Sequence, residues 1–469
     1  MKILFVATEC APILKVGGLG DFIGSLPKAL KDFGLDVRLV IPFPEKIQRE
    51  KLNFNLISDF YFKKGRILIW QTFLPKTEIP IFLLENKKYL TPGEIYPQIN
   101  DFKSFRKFLF FSNAILEIFP KIGWEPEVLH CNEWETAFVA PLLKIKNQKS
   151  KIKTLLTIHN LSVQGKWNAK EIFQFLNLKG DEIKSLKERG KNGDFNILQQ
   201  GILNSDILTT VSPTYAKEIL TKEHGAGLEE ILKKNKRKIF GILNGIDTEI
   251  FDPKTDKNLK VNYSFKNIEK KIENKIGLQK ISNLPKSPEI PLTGFIGRLI
   301  AQKGLDLFEK VIPKLVRKNL QIVFLGTGEK KCEEMLSQFS RKYPKNISAN
   351  IKFDPVLAQK IYGGCDIILI PSLFEPCGLV QMIAQRYGTI PIARKTGGLA
   401  DTIEDGKTGF LFERFKPESF LKAIERCLKV FQDKKEWQRM VKKVMAKDFS
   451  WKKSAKEYFK FYQKLIRKK

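Results

Sequence analysis

Short apolar runs alternate with helical patterns along almost the whole chain, and the alternation starts over in its second half. Runs typical of β-strands occupy residues 2–8, 36–41, 127–130, 153–158 and 207–211 in the first half. The corresponding runs of the second half are Leu292–Gly297, Gln321–Leu325, Asp366–Ile370 and Thr389–Ala393. They are apolar without clear alternation, which is typical of strands covered on both faces. The pattern predicts two doubly wound parallel sheets with a cleft between them.

The chain has 469 residues, enough for two or three domains with full cores. We place the first domain at residues 1–243 and the second at residues 244–446. Residues 447–469 carry aromatic side chains at helical spacing, so we expect a C-terminal helix that packs back on the body. The polar segment from Asp252 to Pro291 is the least regular part, and we expect it to link or decorate the second half rather than build its core.

Two copies of one motif lie about 380 residues apart: Lys15–Asp21, with the sequence KVGGLGD, and Lys395–Asp401, with the sequence KTGGLAD. Each copy follows a strand-like run and leads into a helical pattern. A lysine beside paired glycines at such a turn suits a bound phosphate, because the backbone can approach closely and the helix start offers N–H groups. A Gly-Gly turn is also common as a plain connection. The two copies indicate two similar halves that face one ligand.

Further polar clusters lie at the ends of other strand-like runs: Ile158–Asn160, Gly297–Gly304, Phe374–Leu379 and Asn244–Asp247. Each also has a simpler interpretation, as a structural histidine, ordinary surface charges or a turn. Taken together, three cationic side chains and glycine-rich turns can hold a diphosphate without a metal ion. Hydrogen bonds to such charged groups contribute roughly 1.5–3 kcal/mol each. A histidine and a carboxylate, His159 and Glu375, remain for an uncharged polar group beside that diphosphate, and a sugar fits this requirement.

Composition excludes several other classes of protein. No run of 18 apolar residues is present, so we expect no membrane span and no membrane partner. The N-terminal apolar run is too short for a signal peptide and is interpreted as a first buried strand, which favours a cytoplasmic protein. The six cysteines form no CxxC pair, and the three histidines show no zinc-site spacing. We therefore expect reduced thiols, no metal and no cofactor.

The net charge of +31 is compatible with an anionic partner such as nucleic acid. Lysines are nevertheless scattered over nearly every predicted helix. We interpret the charge as a compositional bias on solvated faces and expect no nucleic-acid partner, although a basic nucleic-acid binder stays an alternative. A dinucleotide-dependent dehydrogenase is disfavoured, because no GxGxxG follows a strand and opens a helix.

The combined motifs resemble those of the bacterial glycogen synthases and plant starch synthases. These are retaining glucosyltransferases of the α/β class, with two doubly wound Rossmann-like domains that face a central cleft (the GT-B fold). The resemblance covers nearly the whole chain. It is carried by Lys15–Asp21, Thr157–Asn160, Thr210–Ala216, Gly225–Leu228, Leu243–Thr248, Gly297–Arg298, Gln302–Asp306, Pro371–Leu379, Tyr387–Asp401 and Asp448–Trp451. It implies an acceptor side in the first domain and a nucleotide-sugar side in the second.

The resemblance also implies roles for individual residues. Lys15 and the amides near Gly17 and Gly18 would bind the diphosphate of a nucleotide-glucose. Arg298 and Lys303 would neutralise that diphosphate as it leaves. The other donor-binding positions of the second domain would include the second motif, with residues Lys395, Thr396, Gly397 and Gly398.

The same resemblance assigns groups to the sugar. His159 would contact the glucose near its reacting carbon, and Glu375 would hold hydroxyls of the donor sugar. Gly378 and Leu379 would offer backbone amides at a helix start. Asp21 would order its own loop or contact the sugar side.

One departure from the family pattern matters. The family usually has His-x-His-Asp-Trp or a close variant, and here the stretch is His130-Cys131-Asn132-Glu133-Trp134. Glu133 thus replaces an aspartate that in the family lies near the acceptor. The side chain keeps its charge but is one methylene longer. We count Glu133 with Glu375, His159, Lys303 and Arg298 as catalytic residues.

The expected activity is transfer of glucose from ADP-glucose to the non-reducing end of an α-1,4-glucan such as glycogen, with retention. One alternative is a glucosyltransferase of the same fold that uses UDP-glucose or another acceptor. A second alternative is a glucan-binding protein without turnover, which the change at Glu133 keeps open.

Overall fold

The computed structural model describes residues 1–63, 65–99, 101–186 and 194–467. These residues form two compact units, one made of residues 1–245 and 451–469, the other of residues 246–450. The unit boundaries lie within a few residues of positions 243 and 446. The C-terminal helix belongs to the first unit, because its aromatic face packs there.

The described residues of the first unit contain one large sheet and a two-stranded antiparallel sheet. Its strands are β1 (Lys2–Val6), β2 (Asp36–Pro42), β3 (Asn55–Phe62), β4 (Gly65–Phe73), β5 (Pro80–Glu85), β6 (Val128–Asn132), β7 (Lys153–Ile158), β8 (Lys166–Asn168), β9 (Asp194–Asn196), β10 (Ile207–Thr210) and β11 (Ile239–Gly241). Its helices up to residue 245 are α1 (Gly18–Lys31), α2 (Phe102–Ala114), α3 (Trp134–Ala137), α4 (Val139–Lys146), α5 (Ala169–Leu176), α6 (Gly180–Ser185), α7 (Ile197–Asn204), α8 (Pro213–Glu218) and α9 (Glu229–Lys234).

The second unit has a single parallel sheet with helices between its strands. The strands are β12 (Leu292–Ile296), β13 (Gln321–Gly326), β14 (Ile347–Ile351), β15 (Ile367–Ile370), β16 (Ile390–Arg394) and β17 (Phe410–Phe412). The helices are α10 (Lys271–Ile281), α11 (Leu305–Leu315), α12 (Lys330–Lys342), α13 (Pro355–Gly364), α14 (Val380–Arg386), α15 (Gly397–Thr402), α16 (Pro417–Gln432) and α17 (Lys434–Met445). Helix α18 (Trp451–Arg467) then rejoins the first unit.

Six consecutive strands of the large sheet, β5-β2-β1-β6-β7-β10, follow the same order as the second sheet. The large sheet runs β11-β10-β7-β6-β1-β2-β5-β4-β3, with only the β3–β4 and β4–β5 pairs antiparallel, and the second runs β14-β13-β12-β15-β16-β17. In each unit the first strand is central, and the chain later returns to its other side. This reversal leaves a crevice at the carboxyl ends of β1 and β6, and of β12 and β15, where such sheets bind ligands. The predicted doubly wound architecture of each half is confirmed.

Strand β1 shows why these runs form central strands. Ile3, Leu4, Phe5 and Val6 are fully buried, since helices cover both faces of the sheet. Helix α1 begins at Gly18, so Asp21 lies in its first turn, where a negative charge is favourable.

Helix α18 packs its aromatic face on α1. The ring of Phe22 meets the rings of Trp451 and Tyr458 edge-on, at centroid distances of 5.6 and 5.9 Å. The three side chains are buried, so the helix completes the core of the first unit.

The expectation for the segment Asp252–Pro291 is wrong. Tyr263 and Leu278 in this segment are almost fully buried, and α10 packs against α13. The buried Lys271 Nζ donates hydrogen bonds to the carbonyls of Tyr362 and Gly363 at 3.1 and 2.9 Å. Buried polar side chains of this segment have specific hydrogen-bond partners. The polarity of the segment therefore did not indicate that it is exposed to solvent.

No helix within the described residues is long and apolar enough to cross a bilayer.

Candidate active site

A lysine and a glutamate from two different loops meet at the crevice of the second sheet. Lys303 follows β12 and Glu375 follows β15, and Lys303 Nζ lies 2.5 Å from Glu375 Oε2. Their side chains are 21% and 12% exposed. The Ser372 hydroxyl donates a second hydrogen bond to Glu375 Oε2 at 3.0 Å. The pair is therefore partly shielded from water and held in one geometry.

The two loops that carry this pair are fastened to each other. Gln302 Nε2 donates to the carbonyl of Phe374 at 3.2 Å, and the Leu373 N–H donates to the carbonyl of Gln302 at 2.8 Å. Gly304 has φ +79°, and a Cβ there would collide with the carbonyl oxygen of Pro371. Only glycine suits this close approach in a left-handed conformation.

The second Lys-Gly-Gly motif packs against the Glu375 loop. A Cβ on Gly397 would collide with the carbonyl of Glu375, and one on Gly398 with the carbonyl of Cys377. The Gly398 N–H already donates to the carbonyls of Glu375 and Pro376, at 3.2 and 3.1 Å. The glycine pair is thus explained by close packing, and the Gly398 amide is occupied.

Other predicted residues of the second unit lie near the same strand ends. Thr396 precedes α15, and Gly378 (φ +72°) and Leu379 precede α14. Lys395 is exposed and pairs with Glu413 at 3.0 Å. The structure brings Lys303 and Glu375 into contact.

Arg298 follows β12 and is exposed. Its guanidinium makes no ion pair within the residues that the structure describes. It is therefore a cation open to an anionic ligand.

In the first unit, Glu133 lies directly after β6 in a backbone conformation that glycine normally occupies, with φ 63° and ψ 176°. Its Oε1 accepts hydrogen bonds from the backbone N–H groups of His159 and Asn160, the latter at 3.0 Å. Its own N–H donates to the Thr157 carbonyl at 3.0 Å. Such strain costs about 1–3 kcal/mol and persists only where the surroundings impose it. The carboxylate of Glu133 thus braces the segment that carries His159.

Burial raises the pKa of Glu133, while its two backbone N–H partners act in the opposite direction. Burial also raises the pKa of the adjacent Glu135, and the nearby Glu133 carboxylate adds to the effect. Two acidic groups at the end of β6 therefore ionise less readily than in water.

His159 follows β7, and its ring is held on two sides. Nε2 lies 3.1 Å from Asn132 Oδ1, and the ring meets Phe22 edge-on at 4.7 Å between centroids. Desolvation lowers the pKa of His159 to about 3. The imidazole is therefore neutral at physiological pH.

The Lys15 loop follows β1 and is tied to a buried carboxylate. Glu9 Oε2 accepts hydrogen bonds from the N–H groups of Val16 and Gly17 at 2.6 and 2.9 Å. Lys15 Nζ pairs with Asp21 at 2.7 Å. Gly18 is the first residue of α1. The Gly17 amide, predicted to meet a diphosphate, is thus already engaged in this structure.

Sequence reasoning missed Glu9. It is 2% exposed, and its Oε1 also accepts from the Tyr96 hydroxyl at 3.0 Å. The available signal was an acidic residue just after an apolar strand, close to a glycine-rich turn.

No cluster of three or more His, Cys, Asp or Glu side chains is arranged to hold a metal ion in the part of the chain that the structure describes.

Two family models match the chain. The starch synthase catalytic domain matches residues 2–234, and glycosyl transferases group 1 matches residues 279–444. The glycogen synthase of Thermosipho africanus is 41% identical over 493 residues, covering 100% of both chains. That of Fervidobacterium nodosum is 42% identical over 486 residues, covering 99% of each.

Solved structures agree with these matches. The catalytic domain of starch synthase IV from Arabidopsis thaliana, solved bound to ADP and acarbose, is 34% identical with a TM-score of 0.90 and covers 99% of both chains. Sucrose-phosphate synthase from Thermosynechococcus elongatus, at 18% identity and a TM-score of 0.64, covers 99% of this chain and 98% of its own, and shares the fold. The predicted GT-B fold and family are confirmed: the chain belongs to the glycogen and starch synthase family of glucosyltransferases.

Proposed function

We propose that the chain transfers glucose from ADP-glucose to the non-reducing end of an α-1,4-glucan such as glycogen, with retention. The observation that carries this proposal is the Lys303–Glu375 pair at the crevice of the second sheet. A cation beside a carboxylate suits a ligand that joins a phosphate to a sugar. The similar starch synthase IV structure, which contains ADP and acarbose, supports the choice of donor and acceptor.

In this proposal the second unit holds the donor. Lys303 and the exposed Arg298 neutralise the diphosphate as negative charge develops on it. Glu375 accepts hydrogen bonds from hydroxyls of the glucose. Donor binding moves Lys303 from Glu375 toward the phosphates, which frees the carboxylate for the sugar.

Further groups of the second unit complete the donor site. Gly378 and Leu379 offer backbone amides at the start of α14. The second motif adds the Lys395 ammonium and the turn formed by Thr396, Gly397 and Gly398, in which the Gly398 amide holds the turn against the Glu375 loop.

The first unit supplies the remaining groups. Lys15 adds a cation for the diphosphate, Asp21 orders the Lys15 side chain, and His159 contacts the glucose as a neutral imidazole. Glu133 braces the His159 segment near the acceptor glucan. These assignments make the first unit the acceptor side.

The reaction forms a bond between the acceptor 4-oxygen and C1 of glucose and breaks the bond between C1 and the diphosphate oxygen. We propose attack on the same face from which the diphosphate departs, through an oxocarbenium-like state, which retains the α configuration. The acceptor hydroxyl proton passes to the departing diphosphate. No second carboxylate is assigned as a covalent nucleophile.

The proposal places the reaction in the cytoplasm, where cysteines stay reduced. It is supported by the six cysteines, all of them thiols in the structure.

A glucan-binding protein without turnover is a second candidate. It is favoured by one observation: Glu133 Oε1 accepts hydrogen bonds from two backbone N–H groups and is therefore not directed at a ligand.

The test uses purified protein with a maltooligosaccharide and either ADP-glucose or UDP-glucose. The proposal predicts nucleotide release with ADP-glucose, and a product whose new anomeric proton is α by NMR. A β linkage, or release without elongation, would contradict it. Glucan binding without release of either nucleotide would favour the second candidate.

A further inference from the structure

Within the described residues the ring of His159 makes one hydrogen bond, and its donor and acceptor can be assigned. Nε2 lies 3.1 Å from Oδ1 of Asn132. An amide oxygen can only accept. If the oxygen of Asn132 truly faces the ring, Nε2 must carry the proton.

The orientation of the Asn132 amide follows from its other contacts. Its Nδ2 donates to the carbonyls of Val6 and His130, at 3.2 and 3.1 Å. Asn132 is fully buried at the end of β6, so these contacts are not exchanged for water. A flipped amide would place its oxygen against two carbonyl oxygens and leave no donor for them. The amide oxygen therefore faces His159.

Two further contacts hold the imidazole in this position. Phe22 meets the ring edge-on, and Glu133 Oε1 accepts the His159 backbone N–H. Within the described residues, Nδ1 has no hydrogen-bond partner. A neutral ring with its proton on Nε2 leaves a lone pair on Nδ1.

We propose that Asn132 is a positioning residue that fixes His159 as the Nε2–H tautomer, so that Nδ1 is presented as a hydrogen-bond acceptor. The group that Nδ1 recognises is then a donor, such as a hydroxyl of the sugar, and this part rests on the proposed function. His159 recognises an uncharged hydroxyl and does not protonate the departing diphosphate.

Desolvation supports this assignment, because it lowers the pKa of His159 to about 3. The titratable groups beside the ring are Glu133 at its backbone and His130, whose pKa burial also lowers. Neither group lies within hydrogen-bond distance of Nδ1.

The first test is ¹⁵N NMR of the ligand-free protein labelled at histidine. The chain has only three histidines, so His159→Asn and His224→Asn variants assign the spectrum. The proposal predicts a protonated Nε2 and an unprotonated Nδ1 for His159 from pH 6 to pH 8. The opposite tautomer, or an imidazolium in this range, would overturn it.

The second test removes the positioning group. Asn132→Leu should give a mixture of the two His159 tautomers and lower kcat for transfer on the order of 10-fold, the scale of one hydrogen bond. An unchanged tautomer in a folded Asn132→Leu protein would refute the proposal.

Asn86→Leu is the matched control. Asn86 is equally buried in the first unit and donates to the Arg66 carbonyl at 2.9 Å, without contact to a histidine. It should lower stability but leave the His159 spectrum unchanged. If His159 has the expected tautomer and no glucose is transferred, the tautomer assignment stands and the proposed function fails. If glucose is transferred but His159 has the opposite tautomer, the proposed function stands and the tautomer assignment fails.

Discussion

The ammonium of Lys303 lies 2.5 Å from the carboxylate of Glu375, although 72 residues separate them. Each follows a strand at the point where the strand order of the second sheet reverses. The site thus holds a cation and an anion against each other. We propose that both charges become available to a ligand that carries a phosphate and hydroxyl groups.

We expect Lys303→Ala to lower the rate of glucose transfer on the order of 100-fold or more, since it removes the cation that we propose stabilises the departing diphosphate. It also leaves Glu375 without its counter-ion. Initial rates at saturating donor measure the effect. Lys434→Ala, which breaks the exposed 2.6 Å pair with Glu289 in the same unit, is the control and should leave the rate unchanged. Equal rates for the two variants would show that Lys303 is not part of the active site.

Glu133→Ala should destabilise the first unit by about 1–3 kcal/mol, because two amide N–H groups lose their acceptor. Glu133→Gln keeps one oxygen for them and should recover most of that loss. Glu133→Gly should be more stable than Glu133→Ala, since only glycine adopts φ 63° and ψ 176° without strain. Denaturant unfolding measures all three free energies. Equal stability of the alanine and glycine variants would contradict the strained conformation.

A surface carboxylate provides the control for Glu133. Glu127 accepts the Lys2 N–H at 2.8 Å but is about half exposed. Glu127→Ala should cost much less, because water can replace its hydrogen bond.

Glu9→Ala should raise KM for the donor about 10-fold, because the Val16 and Gly17 amides lose a buried acceptor and the Lys15 loop loses its fixed geometry. Glu9→Gln retains an acceptor and should show a smaller effect. Steady-state kinetics with varied ADP-glucose measure the change. A fall in kcat with KM unchanged would show that Glu9 does not act through donor binding.

Lys271 predicts a pH dependence of stability in the second unit. Burial lowers its pKa from 10.5 to about 7, so between these values the folded protein binds fewer protons than the unfolded chain. The stability contributed by this group is complete above pH 10.5 and is lost as pH falls toward 7. Its contribution to the unfolding free energy should therefore rise from pH 7 to pH 9, by at most about 1.4 kcal/mol per pH unit.

Lys271→Met removes this titration, and Lys280→Met on the exposed face of α10 is its control. Chemical unfolding at pH 7 and pH 9 gives the difference for each protein. Only Lys271→Met should flatten the profile relative to the unaltered chain. A slope shared by all three proteins would exclude Lys271 as its source.

The doubly wound architecture was predictable because continuous apolar runs of strand length require cover on both faces. The run at residues 153–158 is β7, and the run beginning at Leu292 is β12. The segment Asp252–Pro291 was not predictable from polarity. Its Lys271 is buried and donates hydrogen bonds to carbonyls that lie more than 90 residues away in sequence.

The two similar motifs predicted two similar halves, but the motifs do not follow equivalent strands of the two sheets. Lys15 follows the first strand of its sheet, whereas Lys395 follows β16. By topology, the counterpart of the Lys15 loop is the segment after β12 with Arg298 and Lys303. Sequence similarity between turns does not indicate their place in a sheet.

The predicted site residues were recognisable as chemical groups, yet their partners were not. Asn132 reaches Val6 across 126 residues, and Glu9 reaches Tyr96 across 87. Such contacts depend on strand register and side-chain direction, which no local pattern records. The role of each predicted residue stays a prediction until it is measured.

The most direct test of the account is transfer from ADP-[¹⁴C]glucose to glycogen by the purified protein, with UDP-[¹⁴C]glucose in parallel. We predict incorporation from ADP-glucose that far exceeds incorporation from UDP-glucose. No incorporation from ADP-glucose, or a clear preference for UDP-glucose, would contradict the account.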